Sequence, residues 1–294
     1  MSVVLTAPRI QVDALKTLAS GLDHPEGICL DLDGRLYVSG EAGQIYRLGP
    51  DGTASVVATT GGWTLGLAAD GAGRIHACDP VRHEVIRWDP ADDALQVVSS
   101  GAPGLPFVTP NWGAFGPDGT MFVSDSGTWK GRDGWIAAIR PGGATEIWTR
   151  DSRDFPNGLA VAPDGLAVWV LESTPGRLVR FQIREDGSAG PREILAELPG
   201  AVPDGIAFAT DGSVVIACYR PDVLLRWRAD IGLEVLASDP EGTVLAAPTN
   251  CVFHGPGLAR IAVPNIGRWH VTDLAVPGLT GVPLWYPSAE QLGS

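Results

Sequence analysis

The chain has 294 residues, 38 of them Gly and 24 Pro, enough length for a large buried core and enough turn formers for many short elements. Its formal net charge of −13 excludes nucleic acid or an anionic membrane surface as a natural partner and leaves a small neutral or metal-assisted ligand. The N-terminus lacks a basic segment followed by an apolar one, and no run nears membrane-spanning length, so a cytoplasmic protein is expected.

A strand-like segment at residues 14–19 stands alone before any repeat begins. Four short apolar runs then follow, here strands A to D, at residues 27–30, 36–39, 44–48 and 54–58. Asp33-Gly34 and Asp51-Gly52 separate pairs of them and predict type I′ hairpin turns. Strand C returns at 85–88, 135–139, 178–181 and 224–227, and strand D at 94–98, 145–148, 193–196 and 233–236. A repeat of forty-odd residues with four strands in each copy predicts an all-β, six-bladed β-propeller with four antiparallel strands per blade. The last copy supplies A near Cys251, B near Ala259 and C near Trp269, but no D strand. The lone N-terminal strand is therefore expected to complete the last blade and remove the open sheet edges. Residues 1–294 would form one propeller domain, with 274–294 as a wrapping tail.

One position recurs through the repeats: Glu26, Leu65, Asn111, Asn157, Asp204 and Asn250 each stand seven places before a turn pair or its equivalent. Equal spacing puts them at one place in six blades, at the mouth of the central channel. Two carboxylates and three amide oxygens would suit a hard divalent cation, Ca²⁺ first, with Mn²⁺, Mg²⁺, Fe²⁺ and Zn²⁺ as other occupants. The ring holds no His or Cys, which disfavours zinc. Leu65 cannot ligate and leaves one side for water or substrate. The alternative, that these polar residues merely cap backbone groups at strand starts, explains one or two of them but not five at one register.

Connections on the same face, at residues 61–63, 100–110, 126–134 and 150–155, would shape a substrate pocket. Its candidates are Trp63, Thr109, Trp112, Trp129, Phe155, Arg220 and Asn250, with interblade packing an equal alternative for Trp112 and Trp129. Asp125, Glu172, Arg220 and Asn265 follow B strands and would rim the mouth. His76 reads as core, and His254 is a second candidate base after Asp204. Ser124-Asp125-Ser126-Gly127 lacks the strand-turn-helix setting of a nucleophile elbow. Cys29, Cys78, Cys218 and Cys251 lie in apolar runs without CxxC spacing and read as buried reduced thiols.

Pro25-Glu26-Gly27, Pro156-Asn157-Gly158-Leu159, Pro203-Asp204-Gly205 and Ile216-Ala217-Cys218-Tyr219 resemble the SMP-30/gluconolactonase family, regucalcin-like six-bladed propellers, over nearly the whole chain. The resemblance implies a divalent cation held by Glu26, Asn157 and Asp204, with Asn111 close to metal and substrate, and hydrolysis of lactones. Family members grip sugar hydroxyls with an Arg two residues before the third-blade Asn, where this chain has Thr109. Together with the aromatic pocket candidates, that departure points to a larger, less polar substrate. Asp204 is the first choice for general base. A cyclase, isomerase or lyase on the same metal, or a binding propeller without turnover, are the alternatives. The partner in each case is a small molecule, and no residue pattern specifies an oligomeric state.

Overall fold

The computed structural model describes residues 7–293. Six four-stranded antiparallel sheets each run A-B-C-D outward from a central channel. Blade 1 is Ile28–Leu30, Leu36–Ser39, Gln44–Leu48 and Ala54–Thr59. Blade 4 is Pro156–Val161, Ala167–Glu172, Arg177–Ile183 and Ala189–Glu197. In blade 6, Val252–His254, Arg260–Asn265 and His270–Leu274 take Lys16–Ser20 as their fourth strand, so the first strand of the chain closes the ring as expected. Its register runs from Lys16 opposite Asp273 to Ser20 opposite His270.

The A-to-B turns differ from the type I′ expectation. Gly34, Gly119, Gly165 and Gly212 have positive φ, but the Asp before each does not. Asp164 and Asp211 accept the backbone N–H two residues on, from Leu166 and Ser213. That local bond favours a turn in which only the glycine is left-handed.

The core lies between the blades as well as within them. Between blades 3 and 4, Phe122, Ile136, Leu159, Val168, Val179 and Phe181 are fully buried. Trp148 meets Phe122 and Phe181 edge-on, with centroids 4.8 and 5.9 Å away. The four cysteines are free and buried, and burial pushes their thiols well above the usual range, so they behave as core. No helix among the described residues is long and apolar enough to cross a membrane.

The segment after the last strand lies across the face opposite the A-strand starts. Val282 N–H donates to Phe208 O and Gly281 N–H to Leu258 O. Tyr286 OH donates to Leu30 O at 2.9 Å, Trp285 Nε1 to Ala162 O at 3.4 Å and Gln291 Nε2 to Pro117 O at 3.2 Å. Gly71 N–H completes the set by donating to Pro287 O, so the strap touches all six blades. Above it the lower channel holds a cavity of about 460 Å³, lined by A-strand residues and by Trp285 and Tyr286.

Candidate active site

Each ring residue sits where an A strand begins, close to the axis. In three blades it lies in a β-bulge. The pairing skips Asn111 between Pro110 and Trp112, Asn157 and Gly158 between Pro156 and Leu159, and Asp204 and Gly205 between Pro203 and Ile206. A bulge re-aims the side chain it releases, and the preceding Pro, which has no N–H to pair, marks the place in sequence.

The glycine that follows most ring residues is required by close approach of neighbouring blades. A Cβ on Gly27 would fall 2.0 Å from Leu65 O, one on Gly66 2.6 Å from Asn111 O, and one on Gly158 2.2 Å from Asp204 O. Backbone thus packs on backbone around the ring, with Gly66 N–H donating to Asn111 O at 2.7 Å. Hydroxyls fasten successive blades at the same level: Ser124 Oγ donates to Asn157 O, Ser173 Oγ to Pro203 O and Thr249 Oγ1 to Glu26 O. Sequence reasoning missed these clasps, although Ser124 and Ser173 recur at the ends of B strands.

Glu26 and Asp204 come close enough to repel. Burial pushes Asp204 well above the usual carboxylate range, the Glu26 charge adds to this, and a hydrogen bond from Asn157 partly offsets it. Burial raises Glu26 to about 7, with the Glu41 charge second. Asn157 uses its Nδ2 on Ser173 Oγ at 3.3 Å, and its Oδ1 is buried without a partner. Two carboxylates short of positive charge beside an unpaired amide oxygen fit a hard divalent cation. Asn111 is buried at the same register, and its side chain makes no hydrogen bond among the described residues.

Asn250 departs from the expectation that its amide oxygen joins the ring. Oδ1 accepts the neighbouring Cys251 N–H at 2.6 Å, and Nδ2 is the buried atom without a partner. Asn250 therefore offers a donor. Leu65 is buried and ligates nothing.

The mouth candidates divide. Trp63 donates its backbone N–H to Asp79 Oδ1 at 3.1 Å, and its indole Nε1 is buried without an acceptor. Trp129, 51% exposed, stands edge-on to Phe155 at 4.7 Å, so this pair walls the mouth. Trp112 belongs to the apolar layer between blades 3 and 4 and lines the lower cavity, which removes it from the mouth. Thr109 is half-buried, its N–H held by Asp125. Arg220 is exposed, paired with Asp222 at 3.0 Å and lying over the Tyr219 ring.

The acidic and amide residues expected to rim the mouth are instead fully buried loop anchors. Asp125 accepts the N–H groups of Val108, Thr109 and Gly127. Glu172 pairs with Arg192 and accepts Ser152 Oγ, and Asn265 accepts Ala246 N–H. The cause is topological, since each ends a B strand beneath a connection whose backbone needs partners. His254 bonds Asp273 at 3.0 Å at the far end of its strand from Asn250, which sets it aside as a base. His76 is buried against Phe115 and bonded to Asp70, as a core residue.

A second cluster escaped the sequence reading. Asp23, His24 and Glu41 bring three ligand atoms within 4.8 Å of one another. His24 Nδ1 lies 2.7 Å from Glu41 and 3.1 Å from Asp23, so the three satisfy each other. The available signal was register, because His24 stands two places before its ring residue as Trp63, Thr109 and Phe155 do.

A family profile described as the SMP-30/Gluconolactonase/LRE-like region matches residues 24–264. The 6-deoxy-6-sulfogluconolactonase of Pseudomonas putida is 35% identical over 122 residues, a match spanning 37% of this chain and 37% of that relative. A gluconolactonase from Xanthomonas campestris superposes with a TM-score of 0.77 at 22% identity, covering 90% of this chain and 89% of its own. A calcium-binding protein, regucalcin, from Agrobacterium tumefaciens gives 0.78 at 18% identity, covering 95% and 99%. At such identities the two structures establish a shared fold.

Proposed function

The chain belongs to the SMP-30/gluconolactonase/LRE-like family, and from that premise we propose that it is a divalent-metal-dependent hydrolase. Its substrate is a lactone or related cyclic ester, larger or less polar than a simple sugar lactone. The observation that carries this reading is the unpartnered Oδ1 of Asn157 beside the buried Glu26 and Asp204. Glu26, Asn157 and Asp204 hold the ion, with Asn111 adjacent, and the all-oxygen set favours Ca²⁺. When bound, the ion supplies Lewis-acid polarisation of the ester carbonyl.

This chain's own groups do the rest. Asp204 takes the proton of the attacking water with the carboxylate oxygen that is turned away from the ion. The Asn157 hydrogen bond fixes which way that carboxylate faces. Trp63 Nε1 and Asn250 Nδ2 are buried donors without partners. Trp129 and Phe155 take the apolar part. Four reduced thiols fit a cytoplasmic location.

A panel of aryl- and alkyl-substituted lactones, run beside gluconolactone with Ca²⁺, Mn²⁺, Zn²⁺ or chelator, tests the proposal. Chelator-sensitive opening is expected, with the aryl lactones favoured by about tenfold or more in kcat/KM. Metal binding without turnover of any lactone would leave a binding propeller in its place.

A further inference from the structure

The chain is strongly acidic, yet on neighbouring connections of blades 3 and 4 Lys130, Arg132, Arg150, Arg153 and Arg177 outnumber Asp133, Asp151 and Asp154. These lie on the face of the ring, between strand ends Asp125 and Trp135, between Thr149 and Pro156, and at the start of strand C of blade 4. A cavity of about 380 Å³ opens there, bounded by Lys130, Arg132, Asp154 and Arg177. Its charges do not balance. Arg132 Nε is 3.4 Å and Arg177 Nη1 3.7 Å from the single carboxylate of Asp154, both long contacts, and Arg177 shares its Nε with Glu197. Lys130 makes no ion pair among the described residues. On blade 1, at the same face, Glu41 lies near enough for its charge to act on Glu26, and Asp23 shares His24 with it.

The aromatic pair neighbours the cavity lining along the chain, and Phe155 leads on to the ring. Trp129 precedes Lys130, while Phe155 follows Asp154 and stands two residues before Asn157. We infer that this cavity is an anion subsite, and that the substrate is a lactone whose apolar body lies along Trp129 and Phe155 and ends in an oxyanion such as a sulfonate or carboxylate. Guanidinium and ammonium donors suit that group, and Asp154 orients the two guanidinium groups while leaving Lys130 free. The acidic blade 1 side repels the same anion, so the reversed pose is disfavoured and the lactone end is directed to the ring.

The inference rests on the lactone-hydrolase reading for what sits at the ring, so binding and turnover are measured separately. Metal-loaded protein is titrated with 3-phenylpropanesulfonate and with the neutral 3-phenylpropyl methyl sulfone, following tryptophan fluorescence. The sulfonate is expected to bind more tightly than the sulfone, to weaken as NaCl rises, and to weaken about tenfold in Lys130→Gln/Arg132→Gln. In the same variant the ratio of kcat/KM for an ω-sulfonated aryl lactone to that for its neutral analogue should fall by a similar factor. No saturable sulfonate binding, or equal binding by wild type and variant, would overturn the subsite. Intact sulfonate selectivity with no lactone turnover would instead sink the hydrolase reading and leave the anion subsite standing.

Discussion

Asp204→Asn is expected to lower kcat for lactone opening by about 10³-fold with metal at saturation, since an amide cannot take the proton of the attacking water. The same change has a second, opposite signature that separates it from misfolding. In metal-free protein Glu26 and Asp204 are buried, repel each other and resist ionisation. A neutral isostere removes that repulsion, so metal-free Asp204→Asn should melt above metal-free wild type near neutral pH, while its gain on adding Ca²⁺ should shrink. Full activity in the variant would remove Asp204 as the base. A lower melting temperature without metal would show that the two carboxylates do not oppose one another.

The second large effect concerns backbone. Gly158→Ala places a methyl 2.2 Å from Asp204 O and 2.8 Å from the Gly205 Cα, atoms of the neighbouring blade with no flexible side chain to yield. Forcing the blades apart there should cost about 3 kcal/mol, at the upper end for overpacking, or roughly 5 °C in Tm. It should also weaken metal stabilisation, because Asn157 and Asp204 move with the strands that carry them. Gly200→Ala is the control. Gly200 has φ of +78° but nothing within 4 Å of the new methyl, so only local strain of about 1 kcal/mol is expected. Equal effects of the two changes would contradict the close-approach account of the ring glycines.

What could be read from the chain was whatever depends on counting. A repeat with four strands, one orphan strand at the start and one missing at the end fixes the closure through Lys16–Ser20. A shared register singled out Glu26, Leu65, Asn111, Asn157, Asp204 and Asn250 for the same reason, and the family resemblance narrowed the expected ligands to Glu26, Asn157 and Asp204. What could not be read depends on where a side chain turns. Asn157 and Asn250 occupy one register and are the same residue. Yet the first leaves its oxygen unpaired, while the second spends its oxygen on Cys251 N–H. Trp112 and Trp129 likewise parted, one into the layer between blades and one to the mouth, because Trp112 begins inside a strand and Trp129 stands on a loop. An Asp-Gly pair is compatible with more than one turn type, and here only the glycine takes positive φ. The strap carries no periodicity, since its contacts are scattered backbone and side-chain bonds to six different blades.

The oxygen ring and the Asp23, His24 and Glu41 cluster are distinct places for a cation. Anomalous difference maps from crystals soaked in Mn²⁺ separate them in one measurement. The predicted result is a single dominant peak bounded by the side-chain oxygens of Glu26, Asn157 and Asp204. A peak confined to His24 and its two carboxylates, or no peak at saturating Mn²⁺, would contradict it.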